Sequence, residues 1–244
     1  MGWLAVYQRE MVLMQKKIGK LGYVFSTLLF PLIYLFAFGW GIGGNISVEG
    51  GYVPFLAKGM VTITVMLNAF QQTALSVSVG RFYFGSFQTL MLSPVSLKQI
   101  ALGIVLSGMT RGILAGTSIY AIAMLIFDVP MMNLPGILGI ILTSICFASF
   151  GIAVGMWVKN PDSLSLVINF LITPMTFFCG SFFPIHNLPT VVKGIVKFLP
   201  LSLANDLLRM NAWTIEVIYA MGILVFMALL MFLFGVYQLN QYTE

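Results

Sequence analysis

Gly136-Ile-Leu-Gly-Ile-Ile-Leu-Thr-Ser-Ile-Cys-Phe-Ala-Ser-Phe-Gly-Ile-Ala-Val-Gly-Met-Trp-Val158 contains no charged side chain. A hydrocarbon core about 30 Å thick needs roughly 20 apolar residues per helix. This stretch is long enough to cross it. Asp128-Val-Pro-Met-Met-Asn-Leu-Pro precedes it and Lys159-Asn-Pro-Asp follows it. Both read as tight turns, on opposite sides. Working outward, the same pattern recurs at residues 23–40, 53–77, 99–127, 163–183 and 216–236, which makes 136–158 the fourth of six spans. Pro31 falls inside the first span and predicts a kink there.

The rest of the composition agrees. Of 244 residues, 59% are hydrophobic and 8% charged, against about 25% charged in ordinary soluble domains. A soluble fold of this kind would expose large apolar patches. The expected fold class is therefore all-α integral membrane, a single transmembrane domain over residues 1–244 with no room for a further soluble domain. The net charge of +5 comes from scattered basic residues with no stacking platform, so nucleic acid is not an expected partner; membrane lipid is. Cys146 and Cys179 lie far apart in apolar runs and read as buried free thiols. The first apolar run is too long for a signal-peptide core and has no small-x-small cleavage site after it.

Three segments do not read as spans. In residues 1–20, Trp3, Tyr7, Met11, Met14, Ile18 and Leu21 recur every three or four positions, with Arg9, Gln15, Lys16, Lys17 and Lys20 on other sides. This predicts an amphipathic interfacial helix lying in the headgroup region. Residues 78–98 form a loop between the second and third spans, bounded by Arg81 and the Ser93-Pro94 break, where a soluble partner could push on the membrane part. In residues 184–213, Pro184, Pro189 and Pro200 divide a stretch too polar to span and too apolar for a free loop. Two short re-entrant helices dipping into the outer leaflet are expected there.

Basic residues give the orientation. Arg9, Lys16, Lys17, Lys20, Arg81, Lys98 and Lys159 fall on one side and Lys58, Lys193, Lys197 and Arg209 on the other. The excess predicts that both termini are cytoplasmic.

Some motifs are decoys. Gly39-Trp-Gly41-Ile-Gly-Gly44 matches the dinucleotide fingerprint in letters, but that motif works only between a strand and a helix. Here it ends a span and reads as a flexible turn. Asn45-Ile-Ser is a glycosylation sequon by letter only. A single histidine, His186, excludes a two-histidine metal site within the chain, and no phosphate-binding Gly-x-x-x-x-Gly-Lys-Ser/Thr is present. Any ATP coupling must come from another subunit. Intramembrane Asp or Glu, the usual tools of proton-coupled carriers, are not expected in the span interiors.

Small-residue ladders run along two spans: Gly108, Gly112 and Gly116 on the third, Gly151 and Gly155 on the fourth. They permit close backbone approach in lipid, within the bundle or between two copies. Arg111 lies near the middle of the third span, where insertion costs about 2.5–3.5 kcal/mol. It must face the bundle, a wet cavity or a partner. No carboxylate is evidently placed to meet it, which leaves backbone carbonyls or an anionic substrate.

Taken together, three segments resemble the type-2 ABC export permeases, the family of the daunorubicin-type and nodulation-factor-type exporters. The first is Gly85-Ser-Phe87-Gln88-Thr-Leu90-Met-Leu92-Ser93-Pro94, similar to that family's cytoplasmic Gly-Thr-x-Glu-x-Leu-x-x-(Ser/Thr)-Pro loop, with Ser86 and Gln88 departing from it. The second is Thr110-Arg111-Gly112. The third is Cys179-Gly180-Ser-Phe-Phe-Pro184-Ile-His-Asn-Leu-Pro189, continuing through Pro200 to Asp206-Leu-Leu-Arg209. The resemblance implies a six-span half-transporter in a bacterial or archaeal plasma (inner) membrane. It would pair with a second copy of itself or a sister permease, and with ABC ATP-binding subunits. Arg81, Gly85, Phe87, Gln88, Leu90, Leu92, Ser93 and Pro94 would form the coupling helix that docks on the ATPase. No cofactor is implied on this chain, ATP and Mg²⁺ belonging to the partner. Drugs, lipids and glycans are the implied substrate classes. The rival readings are a self-contained carrier or channel, a membrane enzyme, and an ABC complex doing mechanical or assembly work.

Overall fold

The computed structural model describes residues 2–18, 21–41, 48, 50–83, 85–210 and 212–243. The turn expected at residues 42–47, including Asn45, lies outside the described residues. Among the described residues there are eleven α-helices and no strand. The helices are α1 (Gly2–Ile18), α2 (Leu21–Gly41), α3 (Tyr52–Phe82), α4 (Ser86–Met91), α5 (Leu97–Phe127), α6 (Leu134–Trp157), α7 (Pro161–Val167), α8 (Thr173–Phe178), α9 (Thr190–Val196), α10 (Pro200–Arg209) and α11 (Ile215–Thr243). Four of them, α3, α5, α6 and α11, are long and apolar enough to cross a membrane. Two shorter apolar runs cover Thr27–Gly41 and Asp162–Phe178.

α3 is the central helix, with 18 of its 31 residues buried. The glycine ladders explain how neighbours come so close. Gly108, Gly112 and Gly116 on α5 and Gly151 and Gly155 on α6 all face α3. A Cβ on Gly151 would sit 2.7 Å from the Phe70 carbonyl oxygen, and one on Gly155 2.9 Å from that of Ala74. Backbone meets backbone, as small-residue faces allow in lipid. Both ladders are taken up by packing inside the chain. α11 packs on α6 and α10, and Leu229, Leu233 and Tyr237 on its other face are exposed.

The run predicted over 163–183 is not one regular helix. A π-helical turn, Ile168–Ile172, joins α7 to α8. Pro174 supplies the reason: it has no N–H to give to the preceding turn, and a wider turn relieves the clash of its ring. The Ile168 carbonyl accepts both the Thr173 N–H of the π turn and, at 3.1 Å, the Thr173 hydroxyl. α2, by contrast, continues through Pro31.

The segment between α8 and α11 is broken as expected, with Pro189 and Pro200 at the starts of α9 and α10. Pro184 stands before a single 3-10 turn. Gly180 has φ +80, and a Cβ there would strike Ile185; only glycine accepts that turn without strain. The turn is clamped on two sides. Asn205 Nδ2 donates to the Cys179 carbonyl at 2.8 Å and to Ser181 Oγ at 2.9 Å, and the Tyr52 hydroxyl donates to the Phe182 carbonyl at 3.0 Å. Cys146 and Cys179 are both buried and free, as read from the sequence.

Candidate functional site

Where the sequence predicts a loop from residue 78, α3 continues to Phe82, so Arg81 is helical and half-buried. Its Nη1 donates to the carbonyls of Gly155 (2.9 Å), Met156 (2.7 Å) and Val158 (3.4 Å). These are the otherwise unpaired acceptors at the C-terminal end of α6, where a cation is favoured. The guanidinium also lies over the ring of Tyr242 at 4.9 Å. Arg81 therefore ties the ends of α3, α6 and α11 together and does not lie open to a partner.

α4 projects beyond that knot. Gly85, at φ +57, turns the chain into it. Phe87 is 3% exposed and meets the Tyr242 ring edge-on at 5.8 Å. It anchors the helix to the bundle. Gln88 is exposed, Leu90 half-buried, and Leu92 87% exposed. Ser93 Oγ closes the end by donating to the Leu90 carbonyl at 2.6 Å, and Pro94 is exposed beside it. The sequence motif thus divides into an inward anchor and an outward apolar tip.

The buried arginine of α5 has a carboxylate partner, contrary to the sequence expectation. Arg111 Nη2 meets Glu10 Oε2 at 3.0 Å, with Arg111 7% and Glu10 2% exposed. The same oxygen accepts from Ser76 Oγ at 2.7 Å, and Arg111 also reaches the Glu10 carbonyl at 3.0 Å. α1 brings the carboxylate there. It packs lengthwise on the first half of α5: Gly2 lies by Val95, Val6 by Gly103, the Tyr7 hydroxyl 3.2 Å from Thr110 Oγ1, and Glu10 by Arg111. The buried stripe of α1 is Val6, Glu10 and Met14, one step round from the predicted apolar stripe, and a charged residue stands in its middle. Spacing from Val6 and Met14 is the signal that could have found it.

A second feature went unread in the sequence. Asn68, Gln71 and Gln72 stand at i, i+3 and i+4 on α3, on one helical face. They open onto a cleft of about 360 Å³ between α2 and α3, shared with Thr27, Phe30 and Thr64. Asn68 Nδ2 donates to the Thr64 carbonyl at 2.9 Å, which holds its amide at the cleft wall. The cleft offers hydrogen bonds without charge halfway along a long apolar helix.

At the end of the bundle opposite α4, Arg209 closes α10. It stacks on the Phe55 ring at 3.5 Å, and its Nη2 donates to the carbonyls of Phe55 (3.3 Å) and Ser181 (3.5 Å). Burial draws it down to about 9 while Asp206 pulls the other way, so it stays cationic at neutral pH. Burial raises the Asp206 carboxyl, against the pull of Arg209 and Lys197 and with the help of Glu216. Among the described residues no cluster of His, Cys, Asp and Glu could hold a metal ion.

Comparison with known proteins points one way. Residues 2–213 match the family described as ABC-2 type transporter. Nodulation protein J of Rhizobium leguminosarum bv. trifolii is 32% identical over 213 residues, covering 86% of this chain and 80% of that protein. Nodulation protein J of Rhizobium meliloti (strain 1021) is 30% identical over 210 residues, 85% of this chain and 79% of that protein. Inner membrane transport permease YadH of Escherichia coli (strain K12) is 30% identical over 185 residues, 72% of this chain and 71% of that protein.

Proposed function

The chain belongs to the ABC-2 type transporter family, and on that footing we propose that it is the membrane permease subunit of an ATP-driven exporter. The spans are α2, α3, α5, α6, the α7–α8 rod and α11. At 1.5 Å per residue the 21 residues of α2 reach about 31 Å, enough for a hydrocarbon core. Both chain ends belong to the cytoplasmic side. Two contacts support this: Gly2 lies beside Val95 at the start of α5, and Tyr242 lies on Phe87 of α4. The basic-residue count supports the same orientation.

α4 is the observation that carries the reading. Its anchor, Phe87, is locked to the bundle while Leu92 stands out at the tip. Force applied to the tip by a separate ATP-binding subunit would pass through Phe87 and Tyr242 into α3 and α11. ATP and Mg²⁺ act on that subunit. The cleft between α2 and α3 is the substrate-contacting surface of one half of the transporter, and a second copy or sister permease supplies the other half. Its uncharged amides favour a cargo rich in hydroxyl groups, a glycan or glycolipid, over a purely apolar one.

The test uses inside-out vesicles holding the permease with and without its ATP-binding subunit. Substrate accumulation that needs both ATP and the subunit is expected. Replacing Asn68, Gln71 and Gln72 together with Leu is expected to abolish accumulation while assembly with the subunit persists. Accumulation driven by a proton or sodium gradient, with the permease alone, refutes the proposal.

A further inference from the structure

The end of the bundle opposite α4 holds two cations in one cavity. Its volume is about 190 Å³, several times the ~30 Å³ share of one water molecule. Gly50, Gly51 and Phe55 line it with Lys58 of α3, Pro130 of the turn before α6, and Arg209 of α10. Lys58 stands six residues inside α3, about 9 Å along its axis, where a basic side chain costs free energy unless something meets its charge. Lys58 and Arg209 repel each other.

Among the described residues nothing neutralises them. The ion pairs found there both belong to Glu10, so neither Lys58 nor Arg209 has a carboxylate within 4 Å. Asp206 lies one helical turn before Arg209 and attracts it without forming a pair. The Arg209 Nε–H is buried and has no hydrogen-bond partner, although its Nη2 serves two carbonyls. Such a donor is expensive to leave unmade. The guanidinium carbon lies 3.5 Å from the centroid of the Phe55 ring, which holds the group in place at the cavity wall.

We propose that Lys58 and Arg209 form a binding site for a phosphate oxyanion at the outer end of the bundle. A guanidinium edge and a lysine ammonium are a complementary pair for that group, the first as an oriented fork and the second as a mobile point charge. The phosphate could belong to a phospholipid headgroup of the adjacent leaflet or to a soluble phosphorylated molecule. The site stands apart from the cleft between α2 and α3, and its test needs neither ATP nor transport.

The full-length permease is purified in a neutral maltoside detergent free of phosphate. Phosphatidylglycerol and inorganic phosphate are then added separately and afterwards together, in competition. Bound adducts are counted by native mass spectrometry and the melting temperature is followed. Wild-type protein is expected to hold one adduct, and Lys58→Gln to bind it about tenfold more weakly, the loss of one charge-assisted hydrogen bond. Arg209→Lys, which keeps the charge should Arg209→Gln fail to fold, is expected to weaken binding to a similar degree. Retention of the lipid without competition from inorganic phosphate supports the site and assigns it to a headgroup. Displacement by inorganic phosphate supports it for soluble phosphates. Equal binding by wild type and both variants overturns the proposal, as does binding of neither probe by wild type. Glu49, just before Gly50, lies outside the described residues; probe binding by Glu49→Gln and none by wild type would make Glu49 the counter-ion and overturn it equally.

Discussion

Replacing Glu10 with Ala removes the carboxylate that meets Arg111 and leaves the arginine in place. The guanidinium then keeps the backbone carbonyl of residue 10 at 3.0 Å and that of Gln72 at 3.5 Å, while its Nε already has no partner. Breaking a buried pair from one side costs about 3–5 kcal/mol, because a charge is left uncompensated. The two remaining carbonyls place this case at the lower end, about 3 kcal/mol. The converse change, Arg111→Leu, leaves Glu10 with Ser76 and with the half-exposed Arg9 and should cost less. The cycle itself pairs Glu10→Met, which unpairs Arg111 as the alanine does, with Arg111→Leu; the double variant removes both charges together, and such replacements are often nearly neutral. With about 3 kcal/mol for the loss of Glu10, a smaller further loss for Arg111→Leu and almost none for the double variant, the expected coupling energy is at least about 3 kcal/mol, well above the scatter of roughly 0.5 kcal/mol for independent sites. It can be measured as a double-mutant cycle of unfolding in mixed micelles. Hydrogen exchange gives an independent readout, since Glu10→Ala should release α1 from α5 and lower protection along Gly2–Ile18. Additive losses, or unchanged protection of α1, would refute the reasoning.

Leu92→Asp should leave assembly and melting unchanged and abolish stimulation of the partner ATPase, whereas Phe87→Asp should lower the melting temperature of the permease itself; equal melting losses in both would erase the division into tip and anchor. Gly151→Ala should cost about 1–3 kcal/mol, because its Cβ meets the Phe70 carbonyl at 2.7 Å and backbone cannot step aside. Gly222→Ala on α11 meets nothing within 4 Å and should gain up to about 1 kcal/mol from helix propensity; the same melting assay reads both. Asp206 has a folded pKa raised by burial. The folded state therefore holds its proton more tightly than the unfolded state. Stability should be greatest below the ordinary carboxylate value of about 3.9 and fall as pH rises through the raised folded value. Asp206→Asn should flatten that slope in melting curves taken from pH 3.5 upward.

Much of the architecture was legible because lipid imposes a simple rule. Backbone groups must be satisfied within each span, so long uncharged runs such as 136–158 can only be helices. Proline positions marked the broken segment between α8 and α11 for the same local reason, and Pro189 and Pro200 do stand at helix starts there. The glycine ladders announced close packing, but spacing alone could not say against what. The short α4 motif was visible in order, while its split into Phe87 inside and Leu92 outside was not. Both are large apolar residues, and only the position of Tyr242 at the far end of the chain separates them. The π turn at Ile168–Ile172 escaped notice because it leaves the apolar run unbroken. Glu10 escaped because one acidic residue in a short basic helix carries no periodicity of its own.

The sequence by itself determined that this chain is a helical membrane protein with several apolar stretches long enough to cross a bilayer. Those properties follow from transfer free energies that add residue by residue along the chain. Tertiary structure alone decided that Arg111 is neutralised by Glu10, that Arg81 caps α6, that three amides of α3 share a cleft with α2, and that Lys58 and Arg209 meet in one cavity. Each of these joins residues far apart in sequence. Their energies depend on distances of a few ångströms that only the packed bundle sets.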